Sequence, residues 1–235
     1  MSLPKIQYPI FEIQVPSQGK TLKFRPYLVK EEKILLTAQS SGDKADIVRS
    51  LAQIISNCCL DTVSIEDFST FDIEYLFIKL RAKSVNNKIE ITYTSPEDEQ
   101  QYKIDVNLDD VFVERNPEHT NKIRITEAME VILKYPKTDM VEFLKDAKDE
   151  TDAYFKILAF CLHYIVDGNN TINADEQTFE EKESFLEALD VGSFKKLEQF
   201  ISTMPKIVCN TPYTNNAGEQ KNLRLEGLED FFTFR

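Results

Sequence analysis

The sequence predicts an α+β protein in which β-hairpins alternate with groups of helices. Apolar and polar residues alternate near the N-terminus, in the middle of the chain and near the C-terminus, which is the period of a half-buried strand. Between these stretches, apolar residues recur every three or four positions, which is the period of a helix. The chain has 235 residues, of which 42% are hydrophobic, enough for a substantial core. We predict one α+β domain over residues 1–235. The alternative is a division into an α+β half, 1–136, and a helical half with a C-terminal hairpin, 137–235.

The first predicted element is a hairpin over residues 8–27. An extended apolar stretch, 10–15, is followed by Ser17-Gln18-Gly19, which favours a turn. Residues 21–24 then alternate between charged or polar and apolar side chains, and Pro26 closes the second strand. Helical periodicity follows over residues 28–39 and again over 43–60.

The third predicted helix, residues 71–85, has apolar residues on two opposite faces. At about 100° per residue, one face carries Ile73, Leu76, Phe77 and Leu80, and the other carries Phe71, Tyr75, Ile78 and Ala82. A surface helix has a single apolar stripe, so this helix is expected to lie between two layers. Both layers are supplied by the domain, as in a central core helix, or one is supplied by a partner. Within the domain, residues 46–59 and 88–106 are the expected cover, and Ser64 or Ser69 is the expected N-cap.

The remaining elements are predicted from changes of period. Residues 88–106 form a strand, a polar turn and a strand. Residues 121–136 add a strand, although 127–133 also fits a helical turn. Helices are predicted over 139–147, 150–168 and 179–204, the last broken at Val191-Gly192-Ser193, with the glycine ending one helix and the serine capping the next. The tail, 206–235, returns to a hairpin whose layout resembles that of the central hairpin.

Several function classes are disfavoured by composition. The formal net charge is −12, which argues against nucleic-acid binding. No apolar run is long enough to span a bilayer. The N-terminus also lacks the apolar stretch of a signal peptide, so we expect the protein to stay inside the cell that made it. The four cysteines have no framework spacing and are expected to be reduced thiols.

No catalytic, metal or cofactor site is predicted. The two histidines, His119 on a polar turn and His163 within the predicted helix 150–168, have no nucleophile or carboxylate pattern nearby in sequence. Residues 167–178 weakly resemble a calcium loop but lack the central glycine. Cys209 is placed like a zinc-knuckle ligand without the other sulfurs that zinc needs. We therefore expect a protein that is not an enzyme.

Four blocks of sequence together resemble the baseplate hub assembly family of T4-like contractile-tailed phages. They are KFRPYLVKEEKILLTAQ, FDIEYLFIKLRAKSV, FLEALDVGSFKKLEQFISTMP and LRLEGLEDFF. Their order and spacing cover nearly the whole chain. The resemblance implies a late viral protein that binds baseplate hub proteins and promotes hub assembly as a chaperone, in the host-cell cytoplasm. The alternatives are a permanent structural component of the virion tail baseplate and, more remotely, a metal-dependent enzyme.

The candidate partner-binding residues lie in the first, second and fourth blocks and are mostly aromatic or basic. They are Phe24, Arg25, Tyr27, Lys30, Tyr75, Ile78, Arg81, Phe231 and Phe232. Arg25 is expected to pair internally with Glu31 or Glu32, or to contact a partner. Arg81 is expected to find its partner away from Glu74, in the sheet or on a hub subunit. The C-terminal phenylalanines, including Phe234, are expected either to dock on the domain or to be presented to a partner.

Overall fold

The protein is described here by a computed structural model, which covers residues 6–41, 43–144 and 146–232. It divides into two compact units. Unit 1 is Met1–Glu114 with Lys206–Arg235, and unit 2 is Arg115–Pro205. The predicted α+β class is confirmed. The prediction that the whole chain folds as one domain stays a prediction.

The elements are named in chain order. The helices are α1 (Val29–Ser41), α2 (Lys44–Cys58), α3 (Thr70–Ser84), α4 (Met140–Leu144), α5 (Glu150–Cys161), α6 (Phe179–Glu187), α7 (Val191–Ser202) and α8 (Gly227–Phe231). The strands are β1 (Phe11–Gln14), β2 (Thr21–Phe24), β3 (Lys88–Thr94), β4 (Gln101–Asn107), β5 (Phe112–Glu114), β6 (Lys122–Arg124), β7 (Met129–Leu133), β8 (Leu162–Asp167), β9 (Asn170–Asn173), β10 (Lys206–Thr214) and β11 (Gln220–Glu226).

In its described residues, unit 1 combines three small antiparallel sheets with four α-helices. The sheets are β1-β2, β3-β4 and β11-β10-β5. The predicted N-terminal, central and C-terminal hairpins are therefore confirmed. The two similar hairpins are each followed by a short helical turn, Leu108–Asp110 after β4 and α8 after β11. Unit 2 is an insertion between β5 and β10. The two residues of unit 1 that flank it, Glu114 and Lys206, are partners in one ladder.

Helix α3 lies at the centre of unit 1 and is buried on both predicted faces. Ser69 is its N-cap, and Asp72 completes a capping box. Leu76 and Ile78, from opposite faces, are both 0% exposed, which confirms the two-layer prediction. Helix α2 contacts α3 as predicted. The second layer differs from the prediction, because it comes mainly from the turn Leu108–Asp110 and from β10, β5 and α8 rather than from the hairpin β3-β4.

Unit 2 packs its helices with the sheet β6-β7-β8-β9. The prediction of a helix over 150–168 is wrong in its second half, since α5 ends at Cys161 and β8 follows directly. The β-branched and aromatic residues Tyr164, Ile165 and Val166 pair with strands on both sides. His163 is consequently on a strand. For residues 127–133, the strand alternative is confirmed by β7.

Two smaller corrections also concern unit 2. The segment that resembles a calcium loop, 167–178, forms the turn between β8 and β9, with Gly168 at positive φ, then β9 and a short helical turn, Ala174–Glu176. Helix α7 is capped by Asp190, whose side chain accepts a hydrogen bond from the Ser193 N–H. Gly192 and Ser193 therefore lie in the first turn of α7, and Ser193 is not its cap. None of the helices in the described ranges combines the length and the apolar character that crossing a membrane requires.

Candidate partner-binding region

The first predicted block contains a buried ion pair between Arg25 and Glu31. Arg25 follows β2, and its Nη2 atom lies 2.9 Å from Glu31 Oε1. The same guanidinium donates to the carbonyl oxygens of Pro26 and Asn57, both at 2.8 Å. Glu31 is 0% exposed and also accepts the Leu28 N–H at 2.9 Å. Of the two alternatives for Arg25, the internal pair with Glu31 is formed.

The pKa shifts of Glu31 and Arg25 agree with an internal ion pair. Burial opposes ionisation of Glu31, but the hydrogen bonds from Arg25 and from the Leu28 N–H outweigh it and lower the pKa of the carboxyl. The hydrogen bond to Glu31 likewise raises the pKa of Arg25. Lys30 Nζ lies 3.4 Å from the same carboxylate, but its side chain is 68% exposed. Lys30 is thus a candidate residue that presents its charge at the surface.

Arg81 finds a partner within the chain in the segment after β2, and not in a sheet as predicted. Its Nη1 atom donates to the Tyr27 hydroxyl at 2.9 Å, and its guanidinium lies 5.2 Å from the centre of the Phe232 ring. Tyr27 is buried, and burial raises its pKa to about 12. Tyr27 also donates its backbone N–H to Ser84 Oγ at 3.0 Å. The first, second and fourth blocks of the resemblance therefore meet at Tyr27, Arg81 and Phe232.

Most of the predicted aromatic and aliphatic candidates are part of the core. Phe24 and Ile78 are 0% exposed and offer no contact surface in this conformation, whereas Phe231, although only 3% exposed, lines a groove of unit 1. Phe232 is half-buried and packs edge-on against Phe77 at 5.9 Å, which confirms docking of the described part of the tail. Phe234 lies outside the described residues. Tyr75 is half-buried, with Lys79 Nζ 5.3 Å from its ring centre.

The described residues contain no group of three or more His, Cys, Asp or Glu side chains that could hold a metal ion. His163 Nδ1 lies 2.8 Å from Asp175 Oδ2, and His119 stacks on Tyr135 at 5.6 Å. All four cysteines are free thiols. Burial raises the pKa of Cys161 to about 12, which disfavours the reactive thiolate.

Glu74, which lies between the two apolar faces of α3, is a further residue of this region. The sequence did not identify it as a candidate. Burial, assisted by the charge of Glu229 on α8, raises its pKa from 4.5 to about 7. A glutamate on a helix ridge is normally solvated, so only the tertiary structure reveals this environment. The helix α8 thus rests on α3 beside a carboxyl that titrates near neutral pH.

We expect Glu74→Gln to stabilise unit 1 above about pH 7. The folded chain holds the Glu74 proton more tightly than the unfolded chain does, so the carboxyl costs stability as pH rises from 4.5 through about 7. The gain should reach about 1–3 kcal/mol once Glu74 is ionised and should vanish at about pH 4. Urea unfolding across this pH range measures it. The exposed Glu66 provides the control, Glu66→Gln. A pH-independent difference between Glu74→Gln and the wild type would contradict the prediction.

Comparison with known protein families identifies a relationship. A family model described as T4 bacteriophage base plate protein matches residues 8–233. A search of curated proteins found no match, and neither did a search of solved structures.

Proposed function

The chain belongs to the T4 bacteriophage base plate protein family, and on this premise we propose that it is a non-enzymatic assembly factor that binds baseplate hub subunits. The observation that carries the proposal is the family match over 8–233, which places the chain in a phage baseplate role. The finer role, transient assistance in building the central hub in the host cytoplasm, is our proposal. The alternative is a permanent structural component of the tail baseplate.

The chemistry of the chain supports binding rather than catalysis. Its net charge of −12 suits a basic protein partner. The polar groups of the candidate region, Arg25 and Arg81, are engaged in hydrogen bonds within unit 1, where they hold segments together. What the region offers to a partner is the exposed Lys30 and the half-buried Tyr75 and Phe232.

Co-expression of the tagged chain with each hub protein of its phage, followed by affinity capture, tests the proposal. We expect capture of at least one hub protein. Lys30→Ala should reduce capture while lowering stability by at most about 1 kcal/mol, because its side chain is 68% exposed. Lys33→Ala is the matched control on the same helix, since Lys33 is also exposed. Failure of the wild-type chain to capture any hub protein would contradict the proposal.

Quantification of the chain in purified tails separates the two roles. A transient assembly factor should be absent or present far below the hub subunits. Presence in stoichiometric amounts would contradict transient assistance and favour the permanent structural role.

A further inference from the structure

The central and C-terminal hairpins of unit 1 enclose a groove. Strands β4 and β10 are in contact, and Tyr213 of β10 packs against Tyr93 and Tyr102, with ring centres 5.6 and 5.3 Å away. Strands β3 and β11, together with α8, line a groove with a volume of about 650 Å³. Five consecutive residues of β3, 90–94, line it. Neighbouring strand residues point to opposite faces, so the groove runs along the edge of β3.

This edge of β3 carries unpaired backbone groups. In the described part of the chain, β3 pairs with β4 alone. The Ser95 N–H donates to Gln100 O at 2.9 Å, and the Leu108 N–H donates to Asn87 O at 2.7 Å. In an antiparallel ladder, bonded and non-bonded pairs alternate, so the odd-numbered residues of β3 bond to β4. The N–H and C=O groups of Glu90, Thr92 and Thr94 therefore point away from β4, towards the groove.

The two faces beside this edge differ in chemistry. Towards the interior, the half-buried Ile91 lies near Leu223 and Leu225 of β11 and Phe231 of α8. Towards solvent, β3 exposes Glu90, Thr92 and Thr94. A strand added beside β3 would thus have every second side chain on an apolar surface and the others in water.

The charges that line the groove are all negative. They belong to Glu90, Glu229 and Asp230, and among the described residues no lysine or arginine lines the groove. Lys103 pairs with Glu90 at 2.8 Å, although both side chains are exposed. Asp230 accepts the Glu226 N–H at 2.7 Å. The charge of Glu229 also contributes, after burial, to the raised pKa of Glu74 on α3.

We propose that this groove binds an extended, basic segment of a partner baseplate protein, which adds as a strand to the edge of β3. The segment would alternate apolar residues, which pack on Leu223, Leu225 and Phe231, with lysine or arginine residues, which lie beside Glu90 and near Glu229. Main-chain hydrogen bonds would supply affinity, and the apolar pockets and acidic rim would supply specificity. This inference rests on the proposed function, because it identifies how a hub subunit is held.

A blocked seven-residue peptide that alternates valine and lysine is the direct probe, with an alternating valine and glutamate peptide as its control. Binding is measured by NMR titration of the isotopically labelled full chain. We expect the lysine peptide to shift resonances of β3, β11 and α8 and the glutamate peptide to shift none. Thr92→Pro removes one outward N–H and should weaken binding at least about fivefold. Thr92→Val keeps that N–H and should bind as the wild type does.

A charge variant keeps the test decisive if Thr92→Pro does not fold. Glu229→Lys should weaken binding of the lysine peptide, while Glu12→Lys, an exposed position on β1, should not. Absence of binding of the lysine peptide to the wild type would overturn the inference. So would binding to Thr92→Pro and to Glu229→Lys that is as tight as binding to the wild type. Hub capture by wild type and Thr92→Pro alike would overturn it and leave the proposed function standing. If instead the wild type self-associates in sedimentation experiments and Thr92→Pro is monomeric, the occupant is a second copy, and the inference is also overturned.

Discussion

Arg25→Ala is expected to lower the free energy of unfolding of unit 1 by about 3–5 kcal/mol, the usual cost of leaving one member of a buried ion pair alone. Glu31 is 0% exposed, and its desolvation is offset chiefly by the guanidinium of Arg25. Arg25 also ties the segment after β2 to the end of α2, through its bond to Asn57 O. Its removal therefore leaves a buried charge and two carbonyl oxygens without this donor.

Arg25→Lys separates charge from geometry. A lysine keeps the positive charge but cannot make the paired hydrogen bonds to Glu31 while also reaching Pro26 O and Asn57 O. We expect Arg25→Lys to lower the free energy of unfolding, but by less than Arg25→Ala does. Soluble yield or hub capture should decrease with it. Urea unfolding followed by far-UV circular dichroism measures the stability.

Lys30→Ala is the control for both variants. Lys30 lies 3.4 Å from the same carboxylate but is largely exposed, so its loss should cost at most about 1 kcal/mol. An Arg25→Ala protein with unchanged stability would mean that the pair does not hold this segment. Unchanged hub capture in the same variant would leave Arg25 without a demonstrated role.

The elements that could be predicted from the sequence are those specified locally. The turn Ser17-Gln18-Gly19 and the alternation of residues 21–24 are sufficient for the first hairpin. The apolar face of α2 is likewise continuous in sequence, and its residues Leu51 and Ile55 are buried. Here the local period and the tertiary structure favour the same conformation.

The prediction from sequence was wrong over 150–168, where tertiary contacts determine the secondary structure. The run from Glu150 to Gly168 has no glycine or proline before its end, so nothing local separates α5 from β8. Pairing with β7 and β9 converts its second half into a strand. The pattern Gly192-Ser193 predicts Ser193 as the cap of α7, but Asp190 supplies the capping oxygen. This second error concerns a local signal, since Asp190 lies three residues before Ser193 and aspartate is itself a preferred N-cap.

The candidate region shows the same division. Glu31 follows Arg25 by six residues, and the sequence named it as one of two partners for the internal pair. Tyr27 and Arg81 are 54 residues apart, and only the fold identifies Tyr27 as the partner of Arg81. The groove beside β3 combines residues of the central and C-terminal hairpins. Its edge and its acidic lining therefore had no signature within any single segment.

Leu76→Ala and Ile78→Ala are each expected to destabilise unit 1 by about 2–5 kcal/mol, the range for deleting buried aliphatic groups from a packed site. The two residues lie on opposite faces of α3, and both are 0% exposed. Leu76→Asp and Ile78→Asp should prevent folding of unit 1, because a carboxylate buried without a partner costs more than the stability of a typical domain supplies.

Lys83, an exposed residue on the same helix, offers the control. Lys83 is 52% exposed and pairs with Asp109 at 3.4 Å, so Lys83→Ala should cost at most about 1 kcal/mol. Urea unfolding of the variants gives the comparison. If Ile78→Asp folds normally while Leu76→Asp does not, the Ile78 face is not packed within the chain. Loss of hub capture in that folded variant would then identify this face as the interface. If both aspartate variants fail as expected, α3 is an internal support, and partner contacts must come from surfaces that it holds in place, such as the edge of β3.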